Sequence, residues 1–297
     1  MAETEVPPKL FNFKGCYFHS DIIIPEHLER LEDFVVRDTD IFLVTYPKSG
    51  TVWTQNIMCL ILNEGHRNGT ENTITYYQAP CLDYNITNVD FTKQPSPRII
   101  IAHLPYYLVP KGLRDKKGKV IYVYRNPKDA MVSSFLYLNP TEGLGKSSAL
   151  EDYMQQYLAG KVACSSIFDH VKGWYTHKNE FNVLFLSYEE MIKDLRGTVL
   201  KICSFVGKQL SSQEVDKVVD LATFKNMKAD RRANNEIVLG KIFKQENVKH
   251  LRKGTIGDWK NIMTVSQSER FDKVFQEKMK DIPLKFIWDI KEIQNHD

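Results

Sequence analysis

The sequence predicts an α/β fold in a single domain: an open parallel sheet flanked by helices on both faces. Three observations predict it. Four β-prone runs, at 41–46, 98–103, 119–125 and 182–188, are apolar through their middles, the pattern of strands buried on both sides. Helical patterns lie between runs, as a doubly wound sheet requires. The 297 residues, 42% apolar and 26% charged, show no linker-like break in composition, so one domain covering 1–297 takes up a length that could fill two.

In chain order, residues 1–24 mix polar and aromatic types and read as an arm on the surface or along a pocket edge. Leu28, Leu31 and Phe34 recur at helical spacing within 25–34 and predict a short amphipathic helix. The first strand follows, then the tight loop Pro47-Lys48-Ser49-Gly50-Thr51, then a helix from Val52 onward. Trp53, Ile57, Leu60 and Ile61 place one face of that helix against the sheet, and Asn63-Glu64-Gly65 ends it. Residues 66–98, with Pro80, Pro95 and Pro97, lack periodicity and read as a long irregular segment. Helices are predicted at 149–158 and 167–176. Ser266-Gln267-Ser268-Glu269 reads as a capping box that opens a last helix.

Composition limits the function. Forty basic against thirty-seven acidic residues leave a net charge of +3, too weak a field to argue for nucleic acid or an anionic membrane. Five cysteines, odd in number and never in Cys-x-x-Cys spacing, predict neither a disulfide framework nor a cysteine zinc site; a reducing, cytoplasmic compartment fits them. Glu3, Glu5, Pro7 and Pro8 near the start predict neither signal peptide nor anchor. No run approaches the ~18 apolar residues of a membrane span. The glycosylation patterns at Asn68 and Asn85 then read as chance.

The strand ends carry the chemistry. The runs stop at Tyr46 and Lys48, at His103, at Arg125, and at Ser187 with Tyr188. In a parallel sheet these emerge on one edge, at the carboxyl ends where such folds bind ligands. The first loop combines a cation on Lys48, hydroxyls on Ser49 and Thr51, and Gly50, which lets backbone approach a ligand. With the free N–H groups of the next helix, it is built to hold an anion. It is not a Walker A motif, because the lysine precedes the only glycine. The third strand ends in Arg125, where a nucleoside triphosphatase often offers an aspartate for magnesium. What remains is a phosphate-bearing nucleotide held by fixed cations, with no metal.

Taken in order, Thr45-Tyr46-Pro47-Lys48-Ser49-Gly50-Thr51 with Trp53, His103-Leu104-Pro105, Tyr124-Arg125-Asn126-Pro127-Lys128-Asp129 with Ser133, and Arg252-Lys253-Gly254 through Gly257-Asp258-Trp259-Lys260 resemble the cytosolic sulfotransferases. Stretches 65–72 and 104–110 look most like the amine sulfotransferase branch. The resemblance implies a sulfotransferase fold with a P-loop-like phosphosulfate-binding loop. It implies a 3′-phosphoadenosine 5′-phosphosulfate (PAPS) donor that leaves as PAP, and a small-molecule acceptor: an amine first, a phenol or hydroxysteroid second. By the same resemblance, Lys48 and the loop hold the 5′-phosphate, with Ser49, Gly50, Thr51 and Val52 as donor contacts. Trp53 stacks on adenine, with Tyr188, Thr223 and Phe224 beside it. Arg125, Ser133, Arg252, Lys253 and Gly254 bind the 3′-phosphate. His103 is the general base, since an imidazole can accept the acceptor's proton at neutral pH, and Lys48 meets the charge growing on the leaving phosphate. Lys260, Thr264, Val265 and Glu269 match the family's dimerisation pattern and imply a homodimer.

There are departures from the family pattern. Ile101 stands where phenol-directed relatives often carry lysine, Val52 where threonine is common, and Ala222 where a hydroxyl often meets adenine, with Thr223 adjacent. Weaker donor binding than in such relatives is expected. Taken singly, the same residues have plainer readings: His103 as a strand-end histidine, Trp53, Tyr188 and Phe224 as core aromatics, Ser133 as a helix serine, and Arg252 and Lys253 as a solvated patch with Lys249 and His250. Asp83 and Glu142 are carboxylates that could orient a cationic amine, though both read as surface groups. Segments 76–98, 138–148 and 229–250 are the expected pocket walls and lids. A kinase or nucleoside triphosphatase, and a non-catalytic nucleotide-binding protein, are the competing functions.

Overall fold

A computed structural model describes residues 9–66, 73–86, 88–138, 147–238 and 251–294. The chain enters through an antiparallel hairpin, β1 (Leu10–Phe13) and β2 (Cys16–His19). Lys14 and Gly15 make its two-residue turn with φ of 47° and 88°, the left-handed geometry that suits such hairpins. This is the expected arm along a pocket edge, given a strand structure the sequence did not signal.

The central sheet holds β3 (Ile41–Thr45), β4 (Ile99–Ala102), β5 (Lys119–Tyr124) and β6 (Val183–Ser187), all parallel, in the order β4-β3-β5-β6. Successive side chains alternate between two cores. Phe42, Val44, Ile100, Val120 and Tyr122 face one, against helices Pro127–Leu138, Ile167–Thr176 and Val265–Met279. Ile41, Leu43, Ile99, Ile101, Ile121 and Val123 face the other, against helices Thr51–Leu62, Leu195–Val206 and Ser212–Leu221. Both faces are covered, which is why the strands read as continuous apolar runs.

The order matters for function. From β3 the chain moves to β4 on one side and then to β5 on the other, so the loop after β3 stands at the topological switch point, where open α/β sheets bind ligands. The register aligns Val44 with Ala102, Thr45 with Val123 and Tyr124 with Ser187, bringing the strand-end residues abreast.

Three local expectations are corrected. The last helix is capped by Thr264, whose hydroxyl accepts from the Gln267 N–H while the Gln267 side chain accepts from the Thr264 N–H. The helix starts at Val265, so the box lies two residues before the expected Ser266 and Glu269. Tyr188 is the first residue of helix Tyr188–Lys193 rather than a strand end, because Ser187 caps that helix. Asp83 is fully buried, not on the surface. The five cysteines are buried and free. Glu142, Asn68, Lys249, His250 and the lid stretches 139–146 and 239–250 lie outside the described residues.

Candidate functional site

The loop after β3, where an anion cradle is expected, runs directly into helix Thr51–Leu62. Gly50 caps helix Thr51–Leu62 with φ of 105° and offers no side chain to the first N–H groups, leaving them for a ligand. No other residue fits there, since a Cβ would stand 2.8 Å from Tyr188 Cδ2 in a backbone conformation that L side chains avoid. The buried Ser49 Oγ finds no partner among the described residues, and neither do the Nε atoms of Arg125 and Arg252, so the site holds polar groups that lack acceptors or donors.

Cations converge on this cradle. Arg125 donates to the Lys48 carbonyl at 3.0 Å and the Thr255 carbonyl at 3.3 Å, and its guanidinium lies 4.2 Å from the centre of the Tyr188 ring. Lys48 Nζ stands 3.9 Å from the centre of the Tyr137 ring. Burial, with Arg125 and Arg252 adding repulsion, pulls the Lys48 ammonium from an ordinary pKa of 10.5 down to about 7.

The second cation group comes from a distant segment. Arg252 and Lys253 each lie 2.6 Å from a carboxylate oxygen of Asp258. Gly254, at φ 64°, passes so close to Phe224 that a Cβ would fall 2.2 Å from its ring. Asp129 ties the segment down by accepting the Gly257 N–H at 2.8 Å and the Trp259 N–H at 3.0 Å.

His103 is held on three sides. Its Nδ1 lies 2.8 Å from the Thr45 carbonyl, which can only accept, so Nδ1 carries the proton and Nε2 keeps its lone pair. Its backbone N–H points at both oxygens of Asp83, 3.1 Å each, and its carbonyl accepts from His170 Nε2 at 3.2 Å. His170 in turn accepts from the Tyr122 hydroxyl at 2.8 Å, and burial drops its pKa to about 3, so it stays neutral. Asp83 thus serves His103 and the Cys81 thiol, 3.3 Å away, rather than an acceptor amine.

One cavity of about 830 Å³ joins these groups. Lys48, Gly50, Thr51, Val52, Trp53, Arg125, Ser133, Tyr188, Phe224, Arg252, Lys253 and Gly254 line one part of it together with His103. Ser49 is not in the lining, nor is Thr223, whose hydroxyl instead caps helix Phe224–Ala229. Trp53 donates its indole N–H to the Ala222 carbonyl at 2.8 Å and meets Tyr188 edge to face. The same cavity has a mostly apolar wall of Tyr76, Tyr84, Ile86, Ile101 and Val238, with Leu10 and Ile22 from the hairpin region also in the lining. The expected wall segments supply Tyr76, Tyr84, Ile86 and Val238, and the expected arm supplies Leu10 and Ile22; what sequence reasoning missed is the support given by Asp83, His170, Asp129 and Asp258. Asp129 and Asp258 lie within motif stretches and Asp83 lies twenty positions before His103, but nothing in their spacing shows what they hold.

A family model described as a sulfotransferase domain matches residues 38–283. An amine sulfotransferase of Oryctolagus cuniculus is 54% identical over 288 residues, 96% of this chain and 96% of its own. A 3-alpha-hydroxysteroid sulfotransferase of Cavia porcellus is 42% identical over 279 residues, 93% of this chain and 97% of its own. Among solved structures, mouse sulfotransferase SULT7A1 complexed with PAP matches with a TM-score of 0.73 at 30% identity, over 92% of this chain and 95% of that one. Retinol dehydratase in complex with retinol and PAP shares the fold, with a TM-score of 0.79 at 24% identity over 92% of this chain and 90% of that one.

Proposed function

Since this chain belongs to the sulfotransferase family and is a PAPS-dependent enzyme, we propose that it moves the sulfuryl group of PAPS onto the nitrogen of a small amine, with His103 as general base. The observation that carries this reading is the 2.8 Å bond from His103 Nδ1 to the Thr45 carbonyl, which leaves a basic nitrogen in the cavity that Lys48 also lines. The acceptor nitrogen attacks sulfur and gives its proton to His103 Nε2. The bond from sulfur to the bridging oxygen breaks, and PAP leaves. Lys48, drawn to its ammonium form by the donor's charge, stabilises the negative charge growing on the departing phosphate. Arg125, Ser133, Arg252, Lys253 and Gly254 take the 3′-phosphate, where guanidinium forks suit a dianion. Gly50, Thr51 and Val52 take the 5′-phosphate with the buried Ser49 behind them, and Trp53, Tyr188 and Phe224 surround the adenine, with Thr223 holding the helix that carries Phe224.

An amine acceptor is favoured by the relative at 54% identity, whose name is amine sulfotransferase. A hydroxysteroid or phenol is the second reading, favoured by the apolar wall and by the hydroxysteroid sulfotransferase at 42% identity. Labelled PAPS offered with amines, phenols and sterols in the presence of a chelator tests the proposal. The reading stands if label moves to amines faster than to the other two and falls if amines take none.

The same reading includes a cytoplasmic homodimer formed through Lys260, Thr264, Val265 and Glu269. Val265 is 75% exposed, an apolar side chain facing solvent at the start of its helix. Val265→Glu is expected to turn a dimer into a monomer by solution mass at micromolar concentration, and a wild-type monomer would remove the dimer from the proposal.

A further inference from the structure

Arg252 and Lys253 are neighbours in sequence and carry like charges, so nothing local keeps them together. They are also partly exposed, with side chains 33% and 48% accessible, and each would lose rotamer freedom on gripping a phosphate. Asp258 removes both problems. It is 3% exposed, and its two oxygens lie 2.6 Å from Arg252 Nη2 and 2.6 Å from Lys253 Nζ. Asn261 Nδ2 donates to the same carboxylate at 3.0 Å.

The carboxylate stands on a fixed base. Asp129 holds the N–H groups on either side of it, at Gly257 and Trp259, and Arg125 donates to the Thr255 carbonyl at 3.3 Å. Gly257, at φ 82°, sits against the backbone of Trp288 and Asp289. We propose that Asp258 is a positioning residue that fixes Arg252 and Lys253 as one paired cation and so sets the preference for a nucleotide bearing a 3′-phosphate. The proposal rests on the donor-site reading above, in which these two cations receive that phosphate.

A carboxylate here has two opposed effects. It subtracts one unit of positive charge from the site, which weakens attraction for an anion, and it pre-organises two flexible cations, which strengthens binding. Arg125 and Arg252 both stand close enough to Lys48 to repel it, so the site does not want for positive charge, and what Asp258 adds is geometry. Neutralising Asp258 therefore weakens 3′-phosphate recognition even though the site becomes more positive.

Calorimetric titration of the full chain with PAP and with 5′-AMP, which lacks the 3′-phosphate, tests this. Asp258→Asn is expected to weaken PAP roughly tenfold, equivalent to about 1.4 kcal/mol, and to leave 5′-AMP within about twofold. Asn261→Ala, which loosens the carboxylate without changing charge, is expected to act in the same direction with a smaller effect. It carries the test if Asp258→Asn does not fold. Unchanged or tighter PAP binding overturns the proposal, because Asp258 is then only a counter-charge. Equal loss of both nucleotides also overturns it, because the role is then structural. Wild-type protein that does not prefer PAP over 5′-AMP removes the donor-site reading and this proposal together.

Discussion

In the proposed reading the cavity has a donor end and an acceptor end, and the two are specified in different ways. At the donor end, each contact has a chemical or backbone requirement that few residues meet: positive φ at Gly50 and Gly254 where a Cβ would strike an aromatic ring, cations at Lys48, Arg125, Arg252 and Lys253, and an imidazole whose tautomer is set by Thr45. At the acceptor end, Leu10, Ile22, Tyr76, Tyr84, Ile86 and Val238 supply apolar surface from widely separated segments. Many residues could fill that volume. Where a contact must hold charge or an unusual backbone, sequence choice is narrow. Where it need only exclude water, choice is wide, and acceptor preference can differ between relatives that share a donor site.

His103 stands between the two ends and gives the largest expected effect. His103→Ala should lower turnover roughly 10²- to 10⁴-fold, the range for a lost general base, with PAP affinity unchanged. A loss of PAP affinity as large as the loss of rate would make His103 part of the donor end. Next in size are changes to the donor end. Arg125→Ala should weaken PAP by about 1.5 to 3 kcal/mol, as for a charged hydrogen bond, and leave acceptor KM alone. Gly254→Ala should cost about 1 to 3 kcal/mol in PAP affinity, because the added Cβ would be 2.2 Å from Phe224 in a left-handed backbone. An unaltered PAP titration for either variant would break the division.

The sequence exposed the donor end for these same reasons. Lys48, Gly50, His103 and Arg125 follow apolar strand runs, and β3, β4 and β5 are side by side, so reading where each run stops was enough to gather them on one edge. The hairpin stayed hidden because its strands are four residues each, too short for a period to show. Asp83 reads as a surface acid since its partner, the His103 N–H, is twenty positions away and brought near by the parallel bridge that pairs Cys81 with Ile101 of β4. The displaced cap at Thr264 shows a further limit: Thr-x-x-Gln and Ser-x-x-Glu both fit the capping pattern and begin two residues apart, so the pattern alone does not choose between them.

A smaller effect comes from pH. In the free protein Lys48 loses its proton as pH rises through about 7, whereas the donor's phosphates favour the ammonium form. PAP affinity should fall as pH rises above 7, by up to about tenfold per unit, with a proton taken up on binding at pH 8. Calorimetry in buffers of different ionisation heat measures that uptake. Lys48→Met should abolish it, and uptake that persists would assign the proton to another group. The same shift acts on folding with a known sign. Between about 7 and 10.5 the unfolded chain binds more protons than the folded one, so Lys48 makes stability rise with pH across that window.

The smallest expected effect is at the acceptor end and sharpens the comparison most. Ile86 lines the apolar wall but is 37% exposed, so Ile86→Ala removes only part of a side chain's buried contact, on the order of 1 kcal/mol at ~25 cal/mol per Å². Acceptor KM should rise a few-fold, less for narrow acceptors that never reach the wall than for broad ones that do. PAP affinity and the pH dependence set by Lys48 should not change, because Ile86 carries no charge and constrains no backbone in the cradle. If PAP affinity fell together with acceptor KM, the two ends would be coupled through the wall, and the cavity would have to be treated as one adjustable surface rather than a fixed donor cradle joined to a replaceable acceptor lining.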